Sequence, residues 1–376
     1  MRVALIIERF ESGGGGLESA AWQTAHTLAD AGDEVTVVAR RCEPSRAIET
    51  VELSVPSAWQ PLRVRAFARR ARVWIAQARR EKRVDCTHAW SRVPGAHLFH
   101  TGEGSHRDYM LRSYTARGER LRRISPRHTA LLRLEQQVLS TPGLHLQHVS
   151  GLVARELSAR FEIAQSHQHQ VGYGVDLERF AATEDIPPEA LRSQIDPGAR
   201  RDTPCFLLAG SGWRRKGLDT ALRALAEMRG RDARLWVAGN DRVRPWQQLA
   251  ERLGVAERVV FLGPRGDLER VYTACDALFL PTRYDAFGMV CLEAAAAGRP
   301  CLLSATAGAA ELFAESALIV SNPEDHRGFA KALDSLCDPQ TRASLAQRGH
   351  AVATAHSWQH QTERLRVLYR QLADGS

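Results

Sequence analysis

Seven residues separate Asp285 from Glu293 in the run PTRYDAFGMVCLEAAAAGRP, which passes from loop-like to strongly helical around Gly288. The apolar run DALFL ends at Pro281 and the alanine-rich stretch starts at Met289. A strand, a loop and a helix start in that order present backbone N–H groups to an anion. One acid lies on the loop and the other about a turn inside the helix, so both can face a ligand held there. Paired carboxylates suit a polyhydroxylated ligand, because each accepts hydrogen bonds from hydroxyls. The plain alternative is a capping acid followed by a solvated glutamate.

Two other clusters carry chemistry. LLAGSGWRRKGLDTAL sets Gly210, Gly212, Arg214, Arg215 and Lys216 between a strand and a helix. Cations at a strand's carboxyl end make a clamp for a diphosphate, arginine binding it bidentately and lysine as a point charge. The P-loop spacing is absent, and a solvated basic turn is the competing reading. HLFHTGEGSHRDY holds His97, His100, Glu103 and His106. A lone histidine is usually structural, but three with a glutamate in one loop favour a catalytic role.

The elements that must position these groups read as α/β. The chain opens with strand RVALIIE, the glycine turn SGGGGLE, a helix over 17–31 closed by Gly32, and strand EVTVVAR, a βαβ start whose glycines do not fit G-x-G-x-x-G. The second half alternates FLLAG, RLWVAG, VVFLG, ALFL and CLLS with helices over 217–229, 245–253, 266–274 and 289–297, which implies a parallel, doubly wound sheet. Helices follow over 324–337, 340–355 and 358–372, and the Pro- and charge-rich stretch 183–204 reads as a connecting loop.

At 376 residues, 44% hydrophobic and 25% charged, the chain supports two cores and excludes long disorder. No run is long enough to span a membrane, and MRVALIIERF reads as a core strand rather than a signal peptide. Seven scattered cysteines without CxxC point to a reducing cytoplasm and away from zinc, and no D-x-D is present to bridge a metal to a diphosphate. The net charge of +8 is regional: 59–133 holds 18 Lys/Arg against 5 Asp/Glu, leaving 33 against 38 elsewhere. Within it, Val64, Phe67, Ala68, Ala71, Trp74, Ile75 and Ala78 recur at helical steps among arginines. That helix either packs on its own sheet or lies on an anionic membrane. The mixture of Tyr109, Met110, Leu111 and Tyr114 with arginines in RDYMLRSYTARGERLRRISPRH favours the membrane for the region. Nucleic acid is disfavoured, since no recognised binding motif is present.

The acid-pair run resembles the E-x7-E segment of the family 4 glycosyltransferases, with Asp285 in place of the usual Glu. SGGGGLE matches their GGxE element, Arg215-Lys216-Gly217 their diphosphate-binding Arg/Lys element, and QVGYGVDLERF the stretch joining their two halves, where Tyr173 stands in place of Asn. Among them the chain is similar to the lipopolysaccharide core glucosyltransferases.

That resemblance implies a GT-B fold: two Rossmann-like domains, a cleft between them and a C-terminal helix crossing back. The expected acceptor domain covers 1–172 with helix 356–376, and the expected donor domain 173–355. The implied donor contacts are Gly15, Gly16, Glu18, Arg215 and Lys216, with the backbone of Ala286, Phe287, Gly288 and Met289, for the diphosphate and sugar. Gly212, Pro264, Arg265 and Glu293 are expected at the nucleotide, and His100, Glu103 and Asp285 in catalysis. The expected activity is metal-independent, retaining transfer of a hexose, glucose from UDP-glucose, to a lipid-linked core sugar at the inner face of the cytoplasmic membrane, with 59–133 against the lipid and no cofactor beyond the nucleotide sugar. The alternatives are another donor or acceptor, a nucleic acid included, or a non-catalytic sugar-nucleotide-binding protein.

Overall fold

The computed structural model describes residues 1–56, 59–181 and 186–374. The chain divides into two units, Met1–Gly174 with Trp358–Ser376, and Val175–Ser357.

The first unit runs β1 (Arg2–Phe10), α1 (Gly16–Asp30), β2 (Glu34–Cys42), β3 (Glu49–Glu52), α2 (Gln60–Arg80), β4 (Cys86–Ala89) and β5 (Leu98–His100). It continues with α3 (His106–Ser113), α4 (Ala116–Arg123), α5 (Pro126–Leu139), β6 (His145–His148), α6 (Gly151–Ser158) and β7 (Gln168–Gln170). All seven strands are parallel, in the order β3-β2-β1-β4-β5-β6-β7. The order reverses between β1 and β4, and open parallel sheets hold ligands beyond the strand ends at such a point.

The apolar stripe of α2 settles on this sheet. Val64, Phe67, Ala68, Ala71, Ile75 and Ala78 are buried, and the helix packs on β1, β2 and α5. Trp74 leaves the stripe and lies under the Arg83 guanidinium, 5.7 Å from its ring centre. The weakly periodic segment after it folds as the two short helices α3 and α4. Their starts are fixed by Ser105 and Thr115, whose hydroxyls accept from the N–H groups of Asp108 and Gly118.

The second unit runs α7 (Leu177–Phe180), α8 (Pro188–Ile195), β8 (Cys205–Ala209), α9 (Leu218–Glu227), β9 (Arg234–Ala238), α10 (Arg244–Arg252) and β10 (Val259–Gly263). Next come α11 (Leu268–Ala274), β11 (Ala277–Leu280), α12 (Met289–Ala296), β12 (Cys301–Ser304), β13 (Ala317–Val320), α13 (His326–Leu336) and α14 (Pro339–Thr354). Its six parallel strands follow β10-β9-β8-β11-β12-β13, reversing between β8 and β11. Phe206, Leu208, Leu222, Leu225, Phe279 and Phe329 are among the side chains of its core.

The expected connecting loop over 183–204 needs correction, its first three residues lying outside those described. Pro188–Ile195 is helical, because Pro188 suits the first turn and Leu191 and Arg192 are buried. The Arg192 guanidinium donates to the carbonyls of Ala274, Arg201 and Thr203 and to Asp276.

The last helix, α15 (Trp358–Asp374), belongs to the first unit. Gln361 donates to the Gly172 carbonyl, Arg366 pairs with Asp33 at 2.8 Å, and the Tyr369 hydroxyl meets His88 Nδ1 at 2.8 Å.

Candidate functional site

The clamp loop after β8 and the acid loop after β11 meet where the second sheet reverses. Lys216, 5% exposed, donates from Nζ to Asp285 Oδ2 at 2.7 Å. Arg215 Nη1 donates to the Tyr284 carbonyl at 2.7 Å and reaches Asp285 Oδ2 at 3.4 Å. Two cations thus share one carboxylate and leave a net positive charge. Burial alone would push the Asp285 carboxyl up, but Lys216 and then Arg215 outweigh it and hold it at about 2.

Several bonds lock the two loops together. The Arg283 N–H and the Thr282 hydroxyl both donate to the Arg215 carbonyl, at 2.8 and 3.0 Å. The Arg283 guanidinium grips Asp219 through two 2.7 Å bonds. Gly217 has φ +78°, and a Cβ there would lie 1.9 Å from the Pro281 carbonyl oxygen, so only glycine lets the clamp come this close.

Beyond Asp285 the chain is pinned by a bridge to Ala307 and by the Ala309 N–H on the Phe287 carbonyl, 2.7 Å. Ala286 and Phe287 are buried, and Gly288 caps α12 without a side-chain acceptor. Glu293 accepts from the Tyr272 hydroxyl at 3.0 Å, and burial raises its carboxyl pKa. Gly212 is anchored by its N–H on Asp241, 2.6 Å. Arg265, beside Pro264, grips Asp267 on its own loop. Tyr272, Asp241 and Asp219 escape the sequence reading, although Asp219 sits in the quoted run LLAGSGWRRKGLDTAL as a first-turn acid of α9.

In the first unit, Gly15 and Gly16 open α1, and Glu18 in its first turn accepts from Arg9 at 2.5 Å. His97, His100 and His106 do not form one cluster. His97 Nδ1 accepts from the Thr87 N–H at 3.1 Å, and His106 Nε2 meets His128 Nδ1 at 3.0 Å. His100 is 1% exposed and stacked on Trp90 at 3.8 Å. Its Nδ1 meets the Gln147 side-chain oxygen and its Nε2 the Tyr173 hydroxyl, both at 2.9 Å. Both ring nitrogens are engaged inside the unit, so the ring as it stands orders Tyr173 rather than offering a free base. Glu103 has an exposed carboxylate paired with the buried Arg92, which also reaches Glu135 at 3.4 Å.

Burial lowers these rings, His97 to about 4 and His100 and His106 to about 3. The unfolded chain takes up their protons near 6.5 while the folded chain does not. Their contribution is therefore fully present above about pH 6.5 and is lost as pH falls toward the folded values. The expected result is that their ring resonances stay at neutral positions from about pH 8 to about pH 5 while stability declines below about pH 6.5. A ring titrating near its ordinary value would refute its burial as the cause.

Among the described residues, no group of three or more His, Cys, Asp or Glu side chains is placed to hold a metal ion. The model described as Glycosyltransferase Family 4 matches residues 14–179, and Glycosyl transferases group 1 matches 203–338, one on each unit. Each of the two units thus matches a glycosyltransferase family model. The chain has the GT-B architecture of two Rossmann-like sheets, each flanked by helices. It is 30% identical over 253 residues to the D-inositol 3-phosphate glycosyltransferase of Corynebacterium jeikeium, covering 63% of this chain and 59% of that one. It is 31% identical over 199 residues to the lipopolysaccharide glucosyltransferase WaaG of Escherichia coli, covering 51% of each. These matches span about half the length of the curated relatives. In fold, it superposes on the WaaG crystal structure with a TM-score of 0.81 at 22% identity, over 98% of this chain and 99% of that one. It superposes on Anabaena HepE in complex with UDP-glucose with a TM-score of 0.73 at 16% identity, over 99% and 100%.

Proposed function

We propose that the protein is a retaining hexosyltransferase, moving glucose from UDP-glucose to a lipid-linked core sugar of lipopolysaccharide or a related envelope glycan. The observation that carries this reading is the convergence of Lys216 and Arg215 on Asp285 at the start of α12. The site holds cations for a diphosphate, a carboxylate held ionised for sugar hydroxyls, and the start of α12, whose N-cap Gly288 brings no capping side chain. Glu293, steadied by Tyr272, binds the ribose hydroxyls; the Gly212 backbone, Pro264 and Arg265 serve the nucleotide.

Charge builds on the diphosphate as the anomeric bond breaks. Lys216, Arg215 and the N–H groups of Gly288 and Met289 serve that charge, while the Phe287 N–H holds Asp285 at 3.4 Å; preorganised donors lower a barrier most where charge develops. The departing diphosphate takes the proton of the acceptor hydroxyl on the same face, which preserves the anomeric configuration. Within the first unit, Glu103 serves the acceptor and His100 orders Tyr173. The relatives named as a D-inositol 3-phosphate glycosyltransferase and a lipopolysaccharide glucosyltransferase support glycosyl transfer, and the HepE complex supports a UDP-linked donor.

Calorimetry with UDP, GDP, ADP and TDP tests this directly. Selective UDP binding supports the reading; binding of none of the four sinks it.

We place the enzyme on the inner face of the cytoplasmic membrane. No described helix is long and apolar enough to cross one. The exposed Leu121 and Ile124, 64% and 79% accessible, stand among Arg120, Arg122 and Arg123 on and beside α4. Replacing both by serine is expected to weaken partitioning onto phosphatidylglycerol vesicles by roughly tenfold or more, with UDP affinity unchanged. Equal partitioning of variant and parent would remove α4 from the membrane contact.

A further inference from the structure

The carboxyl ends of β1, β2 and β4 open on a cavity of about 470 Å³ within the first unit, at the reversal of its sheet. Six arginines line it: Arg9, Arg40, Arg41, Arg63, Arg92 and Arg127. Three glutamates line the wall with them and two more, Glu11 and Glu135, pair with these arginines from just outside it, leaving an excess of one positive charge. Glu8 serves two arginines, Arg63 at 2.8 Å and Arg40 at 3.4 Å. Glu18 holds Arg9, which Glu11 also reaches at 3.8 Å, and Glu103 and Glu135 share Arg92. Arg41 and Arg127 are exposed and pair with no carboxylate among the described residues.

Two of these cations are deep. The Arg40 and Arg92 side chains are 12% and 7% accessible; the Arg92 Nε–H finds no hydrogen-bond acceptor, and the Arg40 Nε–H has only the 3.4 Å ion pair with Glu8, not aligned as a hydrogen bond. Unsatisfied buried guanidinium is costly, and an anion entering the cavity offsets the excess charge. The floor is apolar, built by Val64 and Phe67 of α2 and Leu131 and Leu134 of α5. An apolar floor with convergent cations is the lining of a small-molecule site rather than of a flat lipid contact. The donor diphosphate has its own cations, Arg215 and Lys216, in the second unit, so this cluster calls for a different anion.

We propose that this cavity reads an acidic group, phosphate or carboxylate, on the acceptor saccharide. Arg40, Arg63 and Arg127 recognise it, and Glu8 positions the first two. The assignment rests on the transferase reading above and adds the class of acceptor: acidic rather than neutral.

The test is calorimetry on the full chain loaded with UDP, titrated with glucose 6-phosphate, glucuronate, glucose and inorganic phosphate. At least one acidic sugar is expected to bind about tenfold or more tighter than glucose, and tighter than inorganic phosphate. Arg40→Gln should remove most of that preference. Arg127→Gln, at an exposed position with no fold to disturb, should reduce it by roughly three- to tenfold. Arg348→Gln, in the second unit, should leave it intact. Equal binding of glucose and both acidic sugars overturns the proposal, as does a preference unchanged in Arg127→Gln. Inorganic phosphate binding as tightly as the sugars would reveal an anion site without saccharide recognition, which overturns the acceptor assignment. UDP binding is read on the same samples. Its absence overturns the transferase reading, whereas intact UDP binding without acid preference overturns the cavity assignment alone.

Discussion

Lys216→Ala is expected to lower kcat/KM for transfer by roughly 10²–10³-fold, the usual loss when one preorganised donor to a developing charge is removed. UDP affinity should fall by about tenfold or more in the same variant. The substitution also withdraws the shorter of the two cation contacts holding Asp285, leaving Arg215 and the Phe287 N–H, each at 3.4 Å. Stability should change with it, and in a pH-dependent way. The folded Asp285 carboxyl sits at about 2 against an ordinary 3.8. Its contribution of about 2 kcal/mol is present above about pH 4 and disappears as pH falls toward 2. Lys216→Ala should shrink that acid-sensitive portion, and Lys216→Arg should restore part of both properties, since charge returns with altered geometry. Steady-state kinetics beside thermal melts at neutral and acid pH would separate the effects. A variant within about threefold of the parent in kcat/KM would remove Lys216 from the chemistry.

Gly217→Ala should be the most damaging single methyl group in the second unit. Its Cβ would fall 1.9 Å from the Pro281 carbonyl oxygen, in backbone that cannot shift without parting the clamp from the acid loop. Left-handed strain adds about 1 kcal/mol. The combined cost is expected to reach about 4 kcal/mol or more, lowering Tm by roughly 10 °C for a unit of this size. Gly298→Ala is the matched control, with φ +67° and nothing within 4 Å of the new Cβ, so it carries strain alone. Similar melting of the two variants would mean that the close approach of Gly217 to Pro281 has no energetic weight.

The second unit was legible because its strands are short apolar runs such as FLLA and ALFL, bounded by glycine or proline and separated by helical patterns. Where strands are polar or very short the pattern vanishes: β7 is Gln-His-Gln and β3 is Glu-Thr-Val-Glu, both at sheet edges that need little burial. The clamp and acid pair could be read because each is contiguous in sequence. Their meeting could not, because it depends on β8 and β11 becoming neighbours across a wide separation in the chain. The arginine-lined cavity was invisible for the same reason, its cations coming from β1, β2, α2, α5 and the segment after β4. Histidine was misleading in the opposite sense. Proximity in HLFHTGEGSHRDY suggested a cluster, whereas strand β5 and the start of α3 send the three rings to separate partners.

Because α15 completes the first unit, the gene order of that unit is interrupted by the whole of Val175–Ser357. A ribosome adding about 5–20 residues per second needs roughly 10–40 s to cross the interruption. During that interval the surfaces of α1 and β4 that α15 covers are solvent-facing, and His88 lacks the Tyr369 hydroxyl. The second unit, uninterrupted, can finish first on the nascent chain, although its sequence starts later. A stop codon ahead of Trp358 would thus spare the second unit while leaving the half translated first permanently unfinished, as a target for chaperones and proteases.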